Sequence, residues 1–189
     1  MIKNDKWLIE NAERLGVDVE NVNPSSVDCR LGGQIKVFKN RYQFEHPVDS
    51  YILSMGWEIQ APSPIGDRYD SFMKVYNLDE GDKFHLLPDC SYLAHTIETI
   101  TVPHNKCALL LLKSTPARKG LTHNLACWFE AGFHGTAVME LTTSKLFTVE
   151  IGQRIPQFIY FDAEVPDKPY GTDGDSHYQN QKGAQEAWQ

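Results

Sequence analysis

At 189 residues, 41% hydrophobic and 23% charged, the chain has the size and make-up of one soluble globular domain. A net charge of -7 disfavours a polyanion-binding surface spread over the molecule, so nucleic acid is not an expected partner, and an anionic ligand would need a local basic pocket helped by a divalent cation. The longest apolar runs, such as residues 108–112, fall far short of a membrane span, and MIKNDKWLIE lacks the apolar core of a signal peptide, so a cytosolic protein with no membrane partner is expected. Cys29, Cys90, Cys107 and Cys127 are scattered with no C-x-x-C pair, which reads as free thiols and not as a zinc knuckle or redox dithiol.

In chain order, Asn4 or Asp5 is placed to cap a short helix on which Trp7, Leu8, Ala12 and Leu15 recur at helical spacing, with Gly16 to end it. From Val27 onward the segments lean to β: VDCRLG, QIKVF, YILSM (51–55), FHLLP, SYLAHTIETITV, CALLLL, TAVMELTT, FTVEI and RIPQFIYF. Gly, Pro, Asn and Asp clusters punctuate them, and residues 61–71, APSPIGDRYDS, read as a surface loop. Many short strands with close turn signals predict a mainly β fold, a barrel or jelly-roll-like sandwich with one N-terminal helix. Residues 1–189 read as a single domain, with a polar, flexible tail from about 162 to 189.

Two stretches carry chemistry. KSTPARKG sets Lys113, Ser114, Thr115, Arg118 and Lys119 just after an apolar run, and hydroxyls, amides and cations together suit phosphate oxygens. On its own such a stretch is more often a solvated loop, and the Walker spacing is absent. In FEAGFHGTAVMELTT, Glu140 interrupts the apolar run 137–141; alternation would put Val138 and Glu140 on one face, and spacing alone predicts that Glu140 points to solvent. His123 and His134 stand too isolated to be read as metal ligands, and the H-x-E with P-C-x-x-C pair of zinc nucleoside deaminases is missing.

Taken in order, VDCRLG, KSTPARKGL, FEAGFHGTAVMEL, GQRIPQ, KPY and HYQNQKG resemble the dCTP deaminases of the dUTPase-related superfamily across nearly the whole chain. The ending HYQNQKG, in place of a glycine-rich closing motif, makes a dUTPase the poorer match.

The resemblance implies a distorted β-barrel assembled as a homotrimer, sites between subunits, a deoxycytidine triphosphate substrate with magnesium carried on the triphosphate, and zinc-free deamination at cytosine C4. Glu140 matches the general base; Ser114 would hold the attacking water and Arg118 stabilise charge beside it. Lys113 and Thr115 would face the phosphates, Glu130 the deoxyribose where the family has aspartate, and Val138 the base through its backbone. Gln157, Tyr170 and Gln181 match positions that close over the nucleotide, and His177 stands where many relatives have lysine. Pro116 and Lys119 replace apolar or small residues. At the product-determining pair the family carries His-Arg in enzymes that stop at dUTP and Gly-aromatic in those that continue to dUMP. Cys127 and Trp128 favour the second pattern through the tryptophan, although a tryptophan beside an apolar strand is more often a core residue. The alternatives are a dUTP diphosphohydrolase without deaminase activity and a catalytically silent nucleotide-binding relative.

Overall fold

The computed structural model describes residues 1–38, 73–88, 90–172, 174 and 176–187; the strand expected at 51–55 and the loop expected at 61–71 lie outside them. Helix α1 spans Asp5–Leu15. The Asn4 side chain accepts the Trp7 N–H at its start, and Gly16, at φ 75°, closes it by donating to the carbonyls of Ala12 and Glu13. No other residue fits there, because a Cβ on Gly16 would stand 2.0 Å from the Thr99 carbonyl oxygen. Leu8, Ala12 and Leu15 form the buried stripe of this helix.

Among the described residues the strands form three antiparallel sheets. One is ordered β1-β11-β6-β8, from Val27–Arg30, Arg154–Asp162, Lys106–Leu112 and Trp128–Phe129. The second is ordered β3-β2-β5-β9-β7, from Met73–Asn77, Gln34–Phe38, Tyr92–Thr101, His134–Thr143 and Leu121–His123. Strands β10 (Phe147–Glu150) and β4 (Lys83–Leu86) make a two-stranded ribbon. One apolar core draws Leu110, Phe158 and Tyr160 from the first sheet, Tyr92, Met139 and Leu141 from the second, and Phe84 from the ribbon. The expected β-rich sandwich-like barrel with an N-terminal helix is what the chain forms.

Several local choices follow from residue chemistry. Pro156 lies in an interior strand without an N–H to give, and it falls where the β1–β11 register shifts between Asp28 and Arg30, an irregularity that removes the need for a ladder bond. The stretch after Leu112 is not the expected turn but a one-turn helix, α2 (Ser114–Arg118). Pro116 sits within its first turn, where a backbone N–H has no helical partner in any case. Strands β3, β7 and β8 were not among the expected segments; β7 and β8 are too short for period-2 alternation to show.

The polar tail expected to be flexible is docked on the second sheet. Asn180 N–H donates to the His134 carbonyl, Gln181 bridges to Gly135 in parallel, Ala184 is fully buried with its N–H on the Gln34 side chain, and Lys36 meets Glu186 at 3.0 Å.

His95 on β5 links this region to the core. Its Nδ1–H donates to the Thr96 carbonyl at 2.8 Å, while Nε2 accepts the Gln34 N–H at 3.2 Å, an acceptor role that only the neutral ring can fill. Burial lowers its pKa from 6.5, with the Thr96 bond opposing in part. A depressed folded pKa gives stability that is full above 6.5 and drains away as pH falls below it toward the folded value. Urea midpoints taken between neutral and mildly acidic pH should therefore fall more steeply for the wild type than for His95→Gln, and parallel profiles would remove His95 from the account.

Candidate active site

Strand β9 follows the alternation its sequence predicts: Ala137, Met139 and Leu141 are buried, whereas Val138 and Glu140 are half-buried on the opposite face. That face does not open onto bulk solvent as spacing alone suggests. Val138 and Glu140 line a cavity of about 330 Å³, together with Ala126, Trp128, Phe129, Glu130, Phe133, Tyr170, Tyr178 and Gln181. A volume of this order admits a small-molecule ligand, and aromatic walls around two carboxylates suit a flat polar ring with a sugar.

The walls are set by close backbone approach. Gly132, at φ 100°, lets the tail come in so tightly that a Cβ there would lie 2.6 Å from the Tyr170 carbonyl oxygen. Tyr170 N–H donates to the Ala131 carbonyl, its ring packs 6.1 Å from Phe133, and its hydroxyl accepts the Tyr178 N–H at 3.1 Å. Gln181 is held by its Nε2 donating to the Thr136 carbonyl at 2.7 Å. Trp128 is 54% exposed at this cavity and is not the core aromatic of the alternative reading. Cys127 beside it is buried, its carbonyl accepting the Leu110 N–H, and burial pushes its thiol pKa up, with Glu140 adding to the effect.

The other expected site residues gather elsewhere on the chain. Lys113 ends the β6 apolar run and forms an ion pair with Asp28, whose second oxygen accepts from Asn23 Nδ2 at 2.9 Å. Gln157 lies opposite Asp28 across the β1–β11 ladder and accepts from the Ser26 hydroxyl at 3.3 Å. Ser114, Thr115 and Arg118 are exposed on α2, and Thr115 lines a separate groove with Lys119 and Lys145. His177 is exposed on the tail. Within one chain, then, Glu140, Glu130, Val138, Trp128, Tyr170 and Gln181 come together, whereas Ser114, Arg118, Lys113, Thr115, Gln157 and His177 do not line that cavity.

Sequence reasoning missed three neighbours of Glu140. Phe133 and Tyr178 line the cavity and both fall inside stretches the resemblance had already singled out. His123, set aside as isolated, is buried on β7, and its Nε2 lies 3.5 Å from Glu140 Oε2. The contact joins β7 to the neighbouring strand β9, a pairing of distant segments that no sequence spacing reveals.

A dCTP deaminase-like family profile matches residues 2–163. The chain belongs to the dCTP deaminase-like family. Among curated relatives, a protein of Methanoregula boonei named "dCTP deaminase, dUMP-forming" is 30% identical over 166 residues, covering 86% of this chain and 80% of the relative. One of the same name from Mycobacterium marinum is 32% identical over 182 residues, covering 92% and 86%. The crystal structure of 2'-deoxycytidine 5'-triphosphate deaminase from Agrobacterium tumefaciens superposes with a TM-score of 0.58 at 20% identity. That match takes in 84% of this chain and 47% of the solved one, so the chain spans about half the length of that protein, and the likeness bears on fold alone. No helix among the described residues of this family member is long and apolar enough to cross a membrane.

Proposed function

We propose that this chain hydrolyses dCTP at cytosine C4 and carries the product on to dUMP and pyrophosphate. The observation that carries the reading is Glu140: a carboxylate interrupting the apolar run 137–141, half-buried, facing an aromatic-walled cavity of ligand size. The names of the relatives supply the substrate and the second product. In the first step Glu140 takes a proton from water as its oxygen bonds to C4 and delivers it to N3; it then takes the remaining hydroxyl proton as the C4=O bond forms and passes it to the amino group as the C4–N bond breaks and ammonia leaves, giving dUTP. In the second, water cleaves the bond between the α- and β-phosphates, and dUMP and pyrophosphate depart. Trp128 at the cavity supports this second step, since an aromatic there matches the dUMP-forming pattern.

Ser114, which would hold the water, and Arg118, which would steady charge on the tetrahedral intermediate, are exposed on α2 outside the cavity of their own chain. A homotrimer in which α2 of one copy faces the Glu140 cavity of the next accounts for both groups. Magnesium belongs on the triphosphate oxygens in this reading and supplies positive charge there; Lys113, Thr115 and Arg118 contribute the chain's own contacts. Glu130 would meet the deoxyribose, and the Val138 backbone, Tyr170 and Gln181 would enclose base and sugar. A cytosolic location suits an enzyme acting on free nucleotides.

A time course with dCTP and magnesium, resolved by ion exchange and assayed for pyrophosphate, tests the product. The expected result is dUMP and pyrophosphate rising together with dCTP loss. Accumulation of dUTP without pyrophosphate would confine the activity to deamination, and untouched dCTP would overturn the proposal.

A further inference from the structure

His123 is a buried titratable group beside the proposed general base that neither the fold nor the proposed mechanism has so far used. Its side chain is 3% exposed, and neither ring nitrogen has a hydrogen-bond partner among the described residues. Glu140 Oε2, 3.5 Å from Nε2, is likewise buried without a hydrogen bond, although the Glu140 side chain as a whole is 31% exposed. Two unpartnered polar groups facing each other are costly unless they satisfy one another. A neutral imidazole must carry its proton on one nitrogen. At Nδ1 that proton would face no acceptor, whereas at Nε2 it faces a carboxylate oxygen.

We infer that His123 is a positioning residue for Glu140: its Nε2–H holds Oε2 and leaves Oε1 as the oxygen that exchanges the proton in the cavity. The inference rests on the proposed deamination and names which carboxylate oxygen performs it. The water-facing area of Glu140 lies on Oε1 and the methylenes, because Oε2 is buried. A small side-chain rotation closes the 3.5 Å separation to the roughly 2.8 Å of a charge-assisted bond. With Oε2 so engaged, each proton from water passes through Oε1, the first on to N3 and the second on to the departing ammonia; His123 itself gains and loses none. Without His123 the carboxylate is free to turn, and both the geometry of proton abstraction and the return of the proton suffer.

The test compares His123→Leu with His123→Gln, which keeps a side-chain N–H donor. His123→Leu should lower kcat for dCTP about tenfold or more, short of the full loss of a general base, with KM within about threefold. His123→Gln should recover most of that loss, and adding His123→Leu to Glu140→Gln should cost nothing further. Turnover of His123→Leu within about twofold of wild type, or equal loss in the Leu and Gln variants, overturns the inference. A readout independent of turnover is the ring-nitrogen NMR spectrum of protein labelled with ¹⁵N-histidine, in which His123 is assigned by its absence from His123→Gln. The Nε2–H tautomer with a shift on Glu140→Gln is expected, and an Nδ1–H tautomer or an unmoved signal overturns the contact. A wild type inert toward dCTP would instead overturn the deamination reading, while the ring spectrum still decides the contact.

Discussion

Glu140→Gln lowers dCTP turnover by at least about 10²-fold while nucleotide affinity stays within a few-fold of wild type. The substitution keeps the length of the side chain and one carbonyl oxygen facing the cavity. It removes the capacity to accept a proton from water, and that capacity is what a general base contributes to the transition state. The remaining cavity wall, from Trp128 through Tyr170 to Gln181, is untouched, so binding is largely preserved. Single-turnover rates beside equilibrium titration with dCTP separate the two quantities. Near wild-type turnover in the variant would remove Glu140 from the role.

The second large effect is on stability. Lys113→Met should destabilise the folded chain by about 2–3 kcal/mol, a fall of roughly 5–10 °C in Tm for a domain of this size. Asp28 is 3% exposed and its charge is balanced by Lys113, with one further bond from Asn23. Removing the ammonium strands a buried carboxylate, which is costlier than losing both partners together. The Lys113 side chain is 29% exposed, so water already screens part of the pair, and the estimate sits below that for a fully buried bridge. Asp28→Asn combined with Lys113→Met should recover most of the loss. Thermal melts of the two variants beside wild type measure this, and an unchanged Tm for Lys113→Met would show that the pair does not hold β1 to β6 through the intervening β11.

These two residues also mark how far sequence reaches. The strands β5, β6, β9 and β11 were legible because segments of seven to ten residues rich in leucine, β-branched and aromatic side chains, bounded by turn residues, state their own conformation. Strand β3 was not, since only Val75 and Tyr76 of its five residues are buried and Lys74 and Asn77 leave it without an apolar alternation. Helix α2 was hidden by Pro116, which reads as a breaker unless its place in the first turn is known. At the site, spacing alone put Glu140 in solvent, and it was the family resemblance that pointed to Glu140, Glu130, Trp128, Tyr170 and Gln181, which converge in one cavity. The Asp28–Lys113 pair and the His123–Glu140 contact were invisible because they join segments distant in sequence. The tail read as loose because its anchors are single residues, Gln181, Ala184 and Glu186, each meeting a different part of the sheet and none forming a periodic pattern.

The most direct measurement of the central claim is the reaction of dCTP and magnesium in ¹⁸O-enriched water, with products weighed by mass spectrometry. Hydrolysis at C4 predicts a uracil base carrying one ¹⁸O at that carbon, an equivalent of ammonia for each, and dUMP as the nucleotide that accumulates. Appearance of dCMP with its cytosine intact would contradict the account, because it would place the chemistry at the phosphates and leave Glu140 without a proton to move at C4.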